Sequence, residues 1–228
     1  FYVMPEVDKC RLQESFQTFV ANYDKVNIHV EPVCYSTDDR AELTEIFDGN
    51  EALIKKYTEK LATTFERVEY AKNNFIRVVK VMKAFILNDS VKSFLCLNNK
   101  LPQENKGLFD IKLLEEFADA IIKLYGIKGL KGKDLLYSIN SEDYDAKRTE
   151  FIQRLSKGEK LFVISSYNTV GAGQNLQYKA PGNATIVAVN DYDRGDMEKD
   201  FDCIYLEKPT NLLVNVDSKK GIEAENLI

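Results

Sequence analysis

The sequence predicts an α/β fold in which helices flank a parallel sheet and a long helical insertion precedes that sheet. From Val91 onward, short apolar runs alternate with helical stripes, which is the pattern of a parallel sheet with helices on both faces. Residues 161–164, Leu-Phe-Val-Ile, form a continuous apolar run of the kind that a strand buried on both faces carries. Residues 51–87 contain no Gly or Pro and repeat an apolar residue every seven positions. These observations divide the chain into an α/β edge segment, a helical insertion and a sheet-bearing lobe, at residues 1–40, 41–90 and 91–228.

The edge segment has the pattern of a strand, a helix and a second strand. Residues 1–4 are an apolar run closed by Pro5, and residues 26–33 alternate between apolar and polar side chains. Between them, apolar residues recur at helical spacing, at Leu12, Phe16, Phe19 and Val20. The chain opens Phe-Tyr-Val-Met-Pro without an initiator Met, so we expect it to be a piece of a longer protein.

The insertion carries both apolar positions of a heptad repeat, sustained over about five heptads. One position holds Ile54, Leu61, Val68, Phe75 and Met82, and the other holds Tyr57, Ala71, Val78 and Phe85. A continuous helix over residues 51–87 would be about 55 Å long at about 1.5 Å per residue, and Asn73 and Asn74 mark the expected point of bending. The stripe needs cover from another helix, from the α/β lobe or from a second chain, and ordinary core packing is the first expectation.

The lobe alternates strands with capped helices. Asp110 is placed to cap a helix that Gly126 ends, and Asp145 is placed to cap a helix that Gly158 ends. The apolar faces of these helices are Leu113, Leu114, Phe117, Ile121 and Leu124 in the first, and Phe151, Ile152 and Leu155 in the second. The predicted strands span residues 93–97, 135–139, 161–164, 184–189 and 203–206.

Composition excludes several classes of function. No apolar run approaches the roughly 20 residues of a membrane span, so we expect no membrane association. The four cysteines have no Cys-x-x-Cys spacing, which indicates reduced thiols and a cytoplasmic location. His29 is the single histidine, so the sequence argues against a histidine-based catalytic triad and against a metal site with several histidines. The net charge of −5 argues against a stand-alone nucleic-acid binder, although a motor lobe meets the strand with only one face.

A polar turn follows the apolar run of residues 161–164. Ser165, Ser166 and Thr169 fall at the carboxyl end of the predicted strand, where functional groups of open α/β sheets gather. Their hydroxyl groups and the nearby backbone N–H groups are suitable donors to phosphate oxygens. Gly171 and Gly173 allow a positive φ and the close approach of a ligand to the backbone. A tight strand-to-helix turn without a ligand is the alternative.

Residues 160–177, Lys-Leu-Phe-Val-Ile-Ser-Ser-Tyr-Asn-Thr-Val-Gly-Ala-Gly-Gln-Asn-Leu-Gln, resemble motif V of superfamily 2 helicases and translocases. The resemblance covers residues 91–228 as a second RecA-like lobe, with residues 93–97 in the place of motif IV. It implies nucleic-acid contacts at Ser166, Tyr167, Asn168 and Thr169, nucleotide contacts at Gly171, Gly173 and Asn175, and support from Arg148 and Arg194. A bracing role for Arg148 and a solvated loop around Arg194 are the alternatives for these two residues.

The family implies part of a nucleic-acid-dependent ATPase that contacts DNA or RNA and that uses ATP and Mg²⁺ in the intact protein. The chain has no Gly-x-x-x-x-Gly-Lys-[Ser/Thr] loop, no Asp-Glu box and no Gln-x-x-Gly-Arg-x-x-Arg run. A first RecA-like lobe would therefore supply the ATP-binding half. We expect this chain alone to be inactive as an ATPase and to hold no cofactor tightly.

Two other interpretations stay open. A non-catalytic α/β interaction module would dock a protein partner, or a second copy of the chain, through residues 51–87. A dinucleotide-binding domain would use Gly171 and Gly173, but Leu176 stands where its third glycine belongs. Loss of nucleic-acid binding after changing Ser166 and Thr169 to alanine would favour the motor lobe over the module.

Overall fold

The computed structural model describes residues 31–36, 38–66, 68–103, 109–170, 176–182 and 198–207. The strands are β1 Ser93–Asn98, β2 Leu136–Ser138, β3 Leu161–Ser166, β4 Tyr178–Lys179, β5 Glu198–Lys199 and β6 Cys203–Leu206. The helices are α1 Asp39–Ile46, α2 Glu51–Phe65, α3 Glu69–Leu87, α4 Ile111–Leu124, α5 Gly132–Leu135, α6 Tyr144–Ser156 and α7 Tyr167–Val170. Residues 1–30 of the edge segment and the predicted strand at residues 184–189 lie outside the described residues.

A parallel sheet of four strands in the order β2-β3-β1-β6 forms the centre of the described part of the chain. β1 and β3 are buried along nearly their whole length, as the continuous apolar run of residues 161–164 predicts. β4 and β5 form a separate antiparallel pair. This architecture confirms the predicted α/β class with a parallel sheet flanked by helices.

The two faces of the sheet are covered by different helices. Phe94 and Phe162 belong to a core cluster shared with the buried sides of α1 to α4, and we call this side the helical face. Leu95 and Val163 belong to a second cluster that contains Phe151 of α6, and we call this side the opposite face. The alternation of side chains along each strand separates the two clusters, because successive residues point to opposite faces.

The helical region is two helices and not the continuous helix predicted for residues 51–87. α2 ends at Phe65, Glu66 has a positive φ of 33°, and α3 begins at Glu69. The break therefore lies before Asn73 and Asn74 and not at them. Its physical reason is tertiary packing, because the reversal brings the Phe65 ring to 5.4 Å from the Phe75 ring, between ring centroids.

The apolar stripe of α2 and α3 finds its cover within this chain. Tyr57 and Phe75 both contact Phe117 of α4, with ring centroids 4.2 Å and 5.4 Å apart. Phe85 reaches the sheet at Phe94 and Phe162, with centroids 5.5 Å and 5.7 Å away. This is the ordinary core packing that the sequence favours. A partner could reach these side chains only after α4 and the sheet had been displaced.

The helix caps follow the predicted pattern with one shift. The carboxylate of Asp110 accepts a hydrogen bond from the backbone N–H of Lys112, and Gly126 follows α4 with a φ of 64°. Asp143, and not Asp145, occupies the N-cap position of α6, and Asp145 lies in the first turn. The Asp143 carboxylate accepts from the backbone N–H of Asn140 and pairs with Lys147, so these contacts stabilise the entry to α6.

Two general features bear on the environment of the protein. Within the described ranges, every helix is too short or too polar to cross a lipid bilayer. Cys34, Cys96 and Cys203 are free thiols, and burial raises the pKa of Cys96 well above its usual range. Cys96 is therefore a core side chain and not a reactive group.

Candidate functional site

The connectivity of the sheet makes the carboxyl ends of β1 and β3 a topological switch point, and we call the space beside these two strand ends the switch crevice. The chain leaves β1 toward α4, which packs on the helical face. It leaves β3 through α7, and Leu176 and Tyr178 then pack on the opposite face. Two adjacent strands whose connections part to opposite faces define a topological switch point, where open α/β sheets bind ligands. The polar turn predicted from the sequence begins at this point.

Ser166 and Thr169 are engaged with each other at the mouth of the crevice. Ser166 is paired in register with Asn98 of β1, and its hydroxyl oxygen accepts a hydrogen bond from the backbone N–H of Thr169 at 3.2 Å. The two hydroxyl oxygens are 2.9 Å apart, and either group can donate. One hydrogen bond between two hydroxyls uses one proton, so the second proton stays available to an acceptor. Both side chains are half-buried and reach the surface.

Tyr167 and Asn168 point in different directions from the same turn. The Tyr167 hydroxyl donates to the backbone carbonyl of Glu207 at 2.5 Å. Burial, followed by the nearby Glu207 carboxylate, raises the pKa of Tyr167, so its hydroxyl is a neutral donor held inside the chain. Asn168 is exposed. Of the predicted contact residues, Asn168 and the Ser166–Thr169 pair face outward, and the Tyr167 hydroxyl does not.

A carboxyl-edge network, which consists of Arg77, Tyr167, Tyr205 and Glu207, lies directly behind the turn. The Arg77 guanidinium donates to both carboxylate oxygens of Glu207, at 2.6 Å and 3.2 Å. The Tyr205 hydroxyl donates to the same carboxylate at 2.5 Å. Burial disfavours the Arg77 charge, but the hydrogen bonds and charge of Glu207 outweigh burial and raise the pKa of Arg77. Arg77 is therefore charged, and both carboxylate oxygens of Glu207 have a hydrogen-bond partner.

Sequence reasoning missed this network because its members carry no local signal. Arg77 lies within the span of the heptad repeat but off its apolar stripe, and Glu207 follows a short strand 130 residues later. Asn74 and Asn98 were missed for the same reason. Their side-chain amides exchange hydrogen bonds of 3.1 Å and 3.2 Å at the end of β1, and both residues are buried. Asn74, read from the sequence as a bend, is a buried anchor of α3 on the sheet.

Of the remaining predicted site residues, Arg148 is the one that lies within the described ranges. Arg148 is half-buried on α6 beside Tyr144, where burial raises the pKa of Tyr144 and the positive charge of Arg148 opposes that effect. Gly171, Gly173, Asn175 and Arg194 lie outside the described residues.

The described residues do not supply a metal site. Across the described ranges, no group of three or more His, Cys, Asp or Glu side chains is arranged to hold a metal ion. Glu207, the acidic side chain nearest to the turn, is already occupied by Arg77 and Tyr205. These residues do not fit Mg²⁺.

Comparison with known proteins adds no relative. No protein-family model matches the chain. No curated protein matches it either. The fold and the site define an α/β protein with a polar turn at a topological switch point, and any functional assignment depends on the chemistry of that turn.

Proposed function

We propose that this chain is the strand-contacting lobe of a nucleic-acid-dependent ATPase of the helicase or translocase kind. The observation that supports the proposal is the half-buried hydroxyl pair of Ser166 and Thr169 at the switch crevice, in which one hydroxyl can donate to a ligand. A phosphate oxygen is a strong acceptor, and hydroxyl and amide side chains are common donors to nucleic-acid backbones. The exposed amide of Asn168 lies on the same turn and adds a second donor.

The proposed contact positions a strand and does not read its sequence. Donors to phosphate oxygens fix the register of a nucleic acid without distinguishing its bases. The proposed contact is therefore compatible with both DNA and RNA. In the intact protein, a first RecA-like lobe would provide the ATP and Mg²⁺ chemistry, and this chain alone would not hydrolyse ATP.

The charge of the chain limits the expected affinity. A net charge of −5 supplies little long-range attraction to phosphate. Lys100 is exposed two residues beyond the end of β1 and is a cation near the crevice. Each phosphate that such a side chain neutralises contributes a slope of about −0.7 to the dependence of log affinity on log salt for a single strand. We expect weak binding with a shallow salt dependence.

The test is fluorescence anisotropy with labelled single-stranded DNA and RNA of about 12 nucleotides, a length within the usual range of single-strand sites. The double variant Ser166→Ala with Thr169→Ala should bind about tenfold more weakly, because the phosphate loses its hydroxyl donor. The matched control is Thr44→Ala with Thr63→Ala. Both of these hydroxyls donate to carbonyls four residues earlier on exposed helix surfaces.

Circular dichroism of each variant checks that the fold is retained. If the wild-type chain binds neither oligonucleotide, or if the double variant binds as the wild type does, the proposal is wrong. Absence of binding would leave the non-catalytic interaction module as the better description.

A further inference from the structure

We propose that Arg77 and Glu207 are positioning residues that hold Tyr167 and thereby fix the turn of residues 166–170 at the switch crevice. The identity of the ligand rests on the proposed function, whereas the positioning of the turn rests on geometry alone. It assigns a role in the site to α3, a helix that the sequence places in the insertion.

The backbone of Glu207 joins the sheet to the turn. Its N–H donates to the carbonyl of Leu97 at 3.0 Å, next to the end of β1. Its carbonyl accepts the hydroxyl proton of Tyr167 at 2.5 Å. Tyr167 is the first residue of α7, directly after Ser166. The position of the Glu207 peptide therefore determines where the turn can be anchored.

The side chain of Glu207 fixes that peptide. Glu207 immediately follows β6, and its carboxylate is only 4% exposed. The carboxylate is held by the two-pronged contact from Arg77 and by the hydroxyl of Tyr205. A planar guanidinium that contacts both oxygens sets the orientation of the carboxylate as well as its distance. Without Arg77, the buried charge of Glu207 would be left with one donor and would move toward water.

A second ion pair on α3 separates positioning from simple stabilisation. Lys80 contacts Glu42 of α1 at 3.0 Å, and Glu42 is 5% exposed. The Arg77–Glu207 and Lys80–Glu42 pairs therefore have similar burial, and both basic residues lie on α3. Only the Arg77–Glu207 pair contacts a residue of the turn. Substitution at Lys80 reports the cost of losing a buried ion pair from α3, and substitution at Arg77 reports that cost together with any release of the turn.

Hydrogen exchange tests the positioning directly. In Arg77→Met, the amides of residues 166–170 should exchange about tenfold faster than in the wild type, because local opening no longer has to break the anchored contact. Exchange in α6 should be unchanged. Lys80→Met should leave residues 166–170 as protected as in the wild type. Tyr167→Phe removes only the hydroxyl and should reproduce the local effect even if Arg77→Met folds poorly.

A double-mutant cycle on oligonucleotide affinity provides the second readout. If Arg77 acts through Tyr167, Arg77→Met and Tyr167→Phe should each weaken binding, and the double variant should lie within about twofold of the weaker single variant. The pair Lys80→Met and Tyr167→Phe should be additive. Unchanged exchange at residues 166–170 in both Arg77→Met and Tyr167→Phe would overturn the positioning role, as would additivity in the cycle. If the wild type binds no oligonucleotide, the proposed function fails and the exchange result alone decides the positioning.

Discussion

Replacing Phe75 by alanine tests whether the helical region is part of the core of the lobe. Phe75 lies on α3 and is fully buried. Its ring contacts Phe65 of α2 and Phe117 of α4, with centroids 5.4 Å away in both cases, and Phe109 at 6.1 Å. The side chain therefore joins the helical region to an element that follows β1. If these contacts form as described, the two regions unfold together.

The magnitude follows from the burial and the ring contacts. Truncation of a buried Phe to Ala costs about 3–5 kcal/mol. The three ring contacts of Phe75, each worth about 0.5–1.5 kcal/mol, keep it away from the lower end of that range. A loss of about 4 kcal/mol is a large part of the roughly 5–15 kcal/mol that stabilises a typical domain. With a urea slope of about 2–3 kcal/mol per molar, the unfolding midpoint should fall by about 1.3–2 M.

Urea unfolding followed by circular dichroism at 222 nm measures the loss, and hydrogen exchange in peptides from α3 and β3 shows whether both regions respond. Tyr70→Ala is the control, because Tyr70 lies on the same helix and is 54% exposed, so its change should stay within about 0.5 kcal/mol. A loss below about 1 kcal/mol for Phe75→Ala would refute the reasoning. So would a transition in which α3 loses protection while β3 keeps it.

Two further predictions concern stability. Burial alone would raise the pKa of Asp202, but hydrogen bonds from Lys199 and from the backbone N–H groups of Lys92 and Ser93 lower it. The stabilisation is present above the unfolded pKa of about 3.9 and is lost as the pH falls through the folded pKa. Asp202→Asn should therefore cost about 1–2 kcal/mol in urea unfolding at pH 7. A cost that does not shrink as the pH is lowered below the unfolded pKa of about 3.9 would contradict this cause. Gly132→Ala places a Cβ 2.4 Å from a backbone carbonyl oxygen of α4 and should lower the free energy of unfolding by about 2 kcal/mol. The control is Gly182→Ala, whose Cβ meets no atom within 4 Å and which should leave the free energy of unfolding unchanged. Equal effects of the two substitutions would contradict the steric argument.

The parts of the fold that the sequence predicted are those with strong local signals. The apolar run of residues 161–164 is a buried strand, and Asp110 and Gly126 bracket α4 as their side chain and backbone preferences require. The heptad stripe identified the buried side of residues 51–87 except at Val68, which lies at the break between α2 and α3 and is 38% exposed. It did not identify the break near Glu66, because no Gly or Pro marks it. The reversal there depends on the contact between Phe65 and Phe75, which exists only in the folded chain.

In the site, too, the features with a local sequence signal were predicted and the long-range contacts were not. The hydroxyls of Ser166 and Thr169 were predicted at the carboxyl end of a strand, and both residues lie there. The inward direction of the Tyr167 hydroxyl was not predictable, since its acceptor on Glu207 is 40 residues away in sequence. The Arg77 contact spans 130 residues. Long-range polar contacts of this kind leave no periodicity for a sequence to display.

The turn after β3 therefore combines two functions that sequence alone could not separate. Ser166 closes the turn by accepting the Thr169 N–H, and Tyr167 anchors it to Glu207, so both contacts serve the local fold. Among the described residues of the turn, one hydroxyl proton and the exposed amide of Asn168 are left for a ligand. Two neutral donors cannot supply strong binding on a chain of net charge −5. If the proposal holds, most of the affinity for a strand has to come from the partner lobe, and the role of this turn is to set the position of the strand against a surface that α3 holds in place.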